Sequence, residues 1–192
     1  MSIHLGLIVE DSDDLNVFKA ILSKLVQQNQ FKISKFLGKG CGKIKSKSTA
    51  WADNLTIKGC THIILIHDLD RENKEKLHTL LVDKLAKSKS SNYLIVIPKE
   101  EVEAWLLSDS AAINDVFGLQ NKFPEITHPE TIKSPKEYLG SLVYKLEKKR
   151  YLHTQHNPKI AASLEVRKLE KCPSFSPLKE FILDIFPIEY HI

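Results

Sequence analysis

Cysteine is scarce in this chain of 192 residues: Cys41, Cys60 and Cys172 are widely separated, odd in number and never paired as CxxC. That scarcity argues against a disulfide framework and against a structural zinc site, and it fits a reduced, cytoplasmic setting. Long apolar runs are missing as well. The longest match a buried strand, so no membrane segment is expected, and the first residues lack the charged-then-apolar order of a secretory leader. No internal repeat is present, and only Lys87–Ser91 resembles a low-complexity stretch. With 42% hydrophobic and 27% charged residues, neither disorder nor a fibrous repeat is indicated. The length suits one continuous unit, an α/β core over residues 1–108 with a helical C-terminal extension over 109–192 packed on it.

The net charge of +4 is mild, but its distribution is uneven. Basic residues clump in Lys39–Lys47 and Lys145–Arg150, and acidic ones in Glu10–Asp14 and Glu100–Glu103. A basic surface around an acidic site is what binding or cutting a polyanion through metal ions requires, whereas each lysine run alone is also consistent with a solvated helix face.

Ile3–Val9 is short, branched and apolar, and it stops at an acidic cluster, as a buried parallel strand does. A helix capped by Ser12 or Asp13 is expected next, with Leu15, Phe18, Ile21, Leu22 and Leu25 at helical spacing. Phe31–Leu37 reads as a second strand. The glycine-rich turn Gly38–Lys43 follows, and its amides with Lys39 and Lys43 are candidates for holding a phosphate. Lys45–Ile57 is weakly amphipathic and reads as a helix. Thr61–His67 is a third strand, delivering Asp68-Leu69-Asp70 at its end, and a helix over about 72–87 precedes the strand Tyr93–Ile97. Helix-start acids Glu100, Glu101 and Glu103 come after Pro98. This β-α-β-α-β-α-β order implies a mainly parallel central sheet flanked by helices. Beyond Trp105, prolines interrupt the pattern, leaving Tyr138–Arg150 and Pro177–Ile185 as expected helices.

In a parallel sheet all strand ends of one polarity share an edge, so Glu10, Asp68, Asp70 and Glu103 are expected to meet there. Carboxylates gathered in this way repel unless a cation or a raised pKa compensates, and hard oxygen donors suit Mg²⁺ or Mn²⁺. Alternation along an extended segment would place Asp68 and Asp70 on one side with Leu69 turned to the core. Glu10 would serve as a ligand or, partly protonated, as general acid or base. Two metals about 4 Å apart would stabilise both oxygens of an in-line phosphoryl displacement. Asp13, Asp14, Glu100 and Glu101 are read instead as first-turn acids complementing helix dipoles.

With Glu10 after the first strand and Asp68-Leu69-Asp70 after the third, the chain resembles the Toprim family of topoisomerases, primases and small nucleases. Val9-Glu10 followed by Asp14, the HDLD segment, Glu101–Leu107 and Lys171–Phe175 resemble, more narrowly, a small Toprim-like family often associated with ATPase genes in bacterial defence and mobile-element regions. The resemblance implies a Toprim-like α/β fold and a Mg²⁺- or Mn²⁺-dependent nuclease acting on DNA or RNA, an antiviral defence effector working with an ATPase partner. It makes Glu103 a third metal ligand or an acid orienting substrate, and Trp105 and Leu106 core anchors. Asp11 departs from the glycine usual after the glutamate. In His153–Lys159, His156 and Lys159 are candidate phosphate contacts. Two other readings compete. One is a receiver-like phosphorylation switch, with Asp68 or Asp70 as acceptor and Lys99 at the phosphoryl group. The other is a noncatalytic Toprim-like subunit binding an ATPase or nucleic acid. Homo-oligomer formation is compatible with the sequence, in which nothing sets the oligomeric state.

Overall fold

The computed structural model describes residues 3–27, 30–38 and 40–186. Four parallel strands form the central sheet: β1 (Ile3–Val9), β2 (Phe31–Leu37), β3 (His62–Ile66) and β4 (Tyr93–Val96), in the order β2-β1-β3-β4. Helices α1 (Ser12–Leu25), α2 (Cys41–Ile57) and α3 (Lys74–Leu85) make the crossovers. After β4 the chain is helical, through α4 (Glu103–Leu106), α5 (Ser110–Phe117), α6 (Pro135–Glu147), α7 (His153–Ser163) and α8 (Ser176–Ile185). Among the described residues no helix is long and apolar enough to cross a membrane.

Both faces of the sheet are covered, which is why the inner strands are nearly continuous apolar runs rather than alternating, with His4 and His62 near their starts. Leu5, Leu7, Val9, Ile64, Ile66 and Val96 face α1 and the C-terminal helices, whereas Ile8, Ile63, Leu65 and Ile95 face α2 and α3. The residues beyond 108 share the first of these cores, since Leu139, Val143, Ile160, Leu169 and Phe175 join Phe18 and Trp105 there. Gly6 makes room for Ile63 of β3 and Leu55 of α2: a Cβ would stand 2.6 Å from Ile63 Cδ1 and 3.0 Å from Leu55 Cδ1.

Three local details differ from expectation. Asp11, not Ser12 or Asp13, is the N-cap of α1, because its extended backbone lets Oδ1 accept from the Asp13 and Asp14 amides at 2.7 and 3.1 Å. Asp11 therefore has a structural role as a helix cap. Next, α2 begins at Cys41, so Gly42 and Lys43 belong to its first turn rather than to a loop. Lastly, Asp70 and Arg71 have φ of 48° and 61°, so the chain after β3 does not continue as an extended segment.

Candidate functional site

The sheet order makes β1 and β3 neighbours although α1, β2 and α2 intervene, and the strands on either side of β1 are reached by crossovers leaving in opposite directions. A crevice opens at the carboxyl ends of the strands where such a reversal occurs. Here it is a cavity of about 120 Å³ with an acidic wall. Glu10 and Asp11 come from the end of β1, Asp13 and Asp14 from the first turn of α1, Asp68 and Asp70 from beyond β3, and Glu101 and Glu103 from beyond β4. The C-terminal helices close it with Lys136 of α6 and His153 and Asn157 of α7.

Glu10, Asp68, Asp70 and Glu103, chosen from strand ends, thus share one cleft. Asp13, Asp14 and Glu101, read from sequence as dipole partners, line it as well. Lys39 lies outside the described residues. Lys43 is exposed and does not line the cleft. His156 is turned away, its ring stacked on Phe117 at 4.5 Å between centroids and its Nδ1 accepting from the Leu152 amide at 2.9 Å. Lys159 is exposed on α7 and also outside the lining, because only positions 153 and 157, one turn apart, face the acids. Lys99, which a receiver-like switch would need beside the acids, is exposed and likewise outside the lining.

Loops after β3 and β4 are tied to each other. Leu69 N–H donates to Pro98 O at 3.1 Å, Asp70 N–H to Glu100 O at 3.1 Å, and Arg71 N–H to Glu100 Oε2 at 3.2 Å. Asp70, Arg71 and Glu100 all have left-handed backbone, φ 48°, 61° and 62°, a conformation that costs a non-glycine residue on the order of 1 kcal/mol or more. These hydrogen bonds hold the strained loops against the cleft.

Glu103 is buried at 2% exposure. Asn157 Nδ2 donates to its Oε1 at 2.9 Å, and Lys136 Nζ stands 3.7 Å away. The Tyr151 hydroxyl gives its one proton to Asn157 Oδ1 at 2.5 Å, with Glu103 Oε1 3.3 Å distant. Burial and the Glu103 charge push the Tyr151 pKa up, so the phenol stays protonated. Lys136 also donates its backbone N–H to Glu101 Oε2 at 3.0 Å. Burial works against the Lys136 charge, but Glu103 and Glu101 outweigh it and its pKa is raised. No periodicity marks Lys136, His153 or Asn157 in the sequence; the paired acids at 13 and 14, more than one cap requires, were the available signal for the wider cluster.

Burial, then the charges of Asp14, Glu103, Asp70 and Glu10, hold the Asp68 carboxyl well above the usual carboxylate range. Burial, then Asp11, Glu103 and Glu10, push Asp14 up to about 7. His153 Nε2 lies 3.6 Å from Asp13 Oδ2, and Asp13 is itself raised by burial and by Asp11. An acid whose folded pKa is raised contributes stability that is present at low pH and lost as pH climbs through the folded value. The metal-free protein is therefore expected to lose several degrees of melting temperature as pH rises from about 4, the ordinary aspartate value, to about 7, the value of Asp14 in the folded protein, and a saturating divalent cation at the upper end of that window is expected to restore it. Calorimetric scans across that window check this; a flat or rising melting temperature contradicts it.

The donors fit a hard cation: they are carboxylate oxygens, ranging from the exposed Asp70 to the buried Glu103 and mutually repelling, and neutralising them removes an unfavourable interaction. Among the described residues no group of three or more His, Cys, Asp or Glu side chains is already set to hold a metal ion, so the acids share a cleft without closing on one point. Residues 9–182 match the family described as a domain of unknown function (DUF4276). No curated protein and no solved structure matches the chain.

Proposed function

Since the chain belongs to the DUF4276 family, whose description assigns no activity, we propose its function from the cleft: a Mg²⁺- or Mn²⁺-dependent, Toprim-like nuclease that cuts phosphodiester bonds in nucleic acid. One observation carries the reading. Glu10 and Asp68 follow neighbouring parallel strands, and in the small cleft they share with Asp14 and Glu103, burial first and then the neighbouring charges oppose ionisation of Asp68. A cluster built against its own ionisation serves little structural purpose, whereas a divalent cation relieves it.

Asp68, Glu10, Asp14 and Glu103 are the residues that would hold the ion. A bound divalent metal supplies charge to the phosphoryl oxygens and lowers the pKa of a water. The chain's own groups do the rest. Lys136 brings a positive charge to the edge of the acidic wall, where a phosphodiester needs attraction. Asn157, itself held by the Tyr151 hydroxyl, fixes the Glu103 carboxylate, and His153 beside Asp13 is placed to carry a proton at the cleft. An ATPase partner and a role in antiviral defence rest on the family resemblance alone and belong to the same proposal.

The test is a Mn²⁺-supplemented cleavage assay on DNA, mixed RNA and tRNA, with and without any ATPase encoded alongside. Chelator-sensitive cleavage that disappears in Glu10→Gln is expected. Absence of cleavage on all three polymers under both conditions, together with no calorimetric heat of Mn²⁺ binding, sinks the proposal.

A further inference from the structure

The large apolar side chains standing exposed among the described residues are Ile57, Leu80, Tyr138 and Tyr144, and the two aromatic ones are both on α6. Their exposures are 38% for Tyr138 and 57% for Tyr144. At 3.6 residues per turn, Tyr138, Ser141, Tyr144 and Lys145 fall on one side of the helix, within about a third of its circumference. That side is the solvent face, because the opposite one buries Leu139 and Val143. Lys148 extends the face at the C-cap, with its Nζ 5.0 Å from the centroid of the Tyr144 ring. One acid, Glu137, shares the face, at its cleft end.

The position of α6 gives this face a direction. Its first turn carries Lys136 into the acidic cleft and donates the Lys136 amide to Glu101. From there the axis leads outward, Tyr138 about 3 Å and Tyr144 about 12 Å beyond Lys136 at 1.5 Å per residue. Exposed tyrosines are an uneconomical choice for a solvated helix face: they are poorer helix formers than lysine or glutamate and leave apolar rings in water. Flat rings interleaved with lysines are what an unpaired polynucleotide requires, the rings for its bases and the ammonium groups for its phosphates. Ser141, between the two tyrosines on that face, is small and exposed.

We propose that the exposed Tyr138–Tyr144–Lys145–Lys148 face of α6 is a stacking platform for single-stranded nucleic acid, which it guides toward the acidic cleft. The proposal rests on the nuclease reading for its direction, and it narrows the substrate to an unpaired strand. A duplex keeps its bases in its own stack and has nothing to offer the rings.

The test reads binding apart from cutting. Fluorescence anisotropy of a fluorescein-labelled, mixed-sequence single-stranded oligonucleotide is measured with the full chain in EDTA, alongside the same sequence as duplex. The wild type is expected to prefer the single strand. The double substitution Tyr138→Ala with Tyr144→Ala should weaken binding by about tenfold or more, while Tyr138→Phe with Tyr144→Phe keeps it. Lys145→Gln with Lys148→Gln should flatten the slope of log affinity against log salt by roughly 0.7 per lysine, an effect that lost stacking does not produce. Unchanged affinity in the alanine double variant, equal loss in the phenylalanine one, no single-strand preference, or no binding by the wild type each overturns the platform. Tyrosine-dependent binding with neither Mn²⁺-dependent cleavage of any of the three polymers, with or without the ATPase, nor a calorimetric heat of Mn²⁺ binding overturns the nuclease reading and leaves the platform standing. Cleavage together with tyrosine-independent binding does the reverse.

Discussion

Asp68→Asn is expected to raise the melting temperature of the metal-free protein while lowering Mn²⁺-dependent cleavage by roughly a thousandfold. The opposite signs come from one cause. Asp68 lies where burial, Asp14, Glu103, Asp70 and Glu10 all disfavour its charge, so an isosteric neutral amide relieves the folded state. The same amide removes an anionic ligand, and Lewis-acid stabilisation of the phosphoryl oxygens amounts to several kcal/mol. Heat denaturation near pH 8, where relief is greatest, reads the first effect without reference to any activity. The second is read by single-turnover cleavage together with Mn²⁺ titration. A lower melting temperature would show that Asp68 makes favourable contacts and that like-charge crowding is not the main feature of the cleft. A higher melting temperature with undiminished cleavage would keep the electrostatics and discard the ligand role.

Trp105→Ala should cost about 3–5 kcal/mol, a large share of the stability of a domain this size. Trp105 has no exposed surface. Its ring packs against Phe18 of α1 at 5.5 Å and against Phe175 at 5.3 Å between centroids, joining the segment that crosses the sheet to the one that ends the fold. Its indole Nε1–H donates to Ser174 Oγ at 2.7 Å, and Ser174 bonds in turn to the buried Glu130, its amide at 3.0 Å from Glu130 Oε1. Truncation therefore opens a cavity and strips a partner from a buried polar chain. Trp105→Phe keeps most of the ring contacts and should cost less than half as much. Denaturant unfolding separates the two variants, and a cost under about 1 kcal/mol for Trp105→Ala would mean that the aromatic cluster is not what seats α4. Glu103 is two residues away on that four-residue helix, so weaker Mn²⁺ binding should accompany the stability loss.

The strands were readable because burial on both faces leaves a nearly continuous apolar run, and the first acid after such a run has to emerge at the sheet edge. Ile3–Val9 followed by Glu10, and Ile63–Ile66 followed by Asp68, follow that rule. The C-terminal half offered no comparable signal. Prolines break its periodicity, and Pro158 even falls inside α7. Whether His153 or His156 faces the acids depends on the rotation of one helix against α1, a matter of packing that a local pattern does not encode. Asp70 shows the same limit at shorter range: a strand-like alternation predicted its side correctly, yet the backbone reaches that place through a left-handed turn tied to Glu100.

By itself the sequence determined a parallel α/β sheet and the placement of Glu10, Asp68, Asp70 and Glu103 near one edge, because strand polarity and burial follow from local apolar runs. Tertiary structure alone decided the rest: Asp14 joins the cluster, Glu103 is fixed by Asn157, which Tyr151 holds, and among the described residues Lys136 is the lysine that lines the acidic cleft. The reason is physical, since desolvation and the sum of neighbouring charges depend on distances between segments far apart in the chain, and only their packing sets those distances.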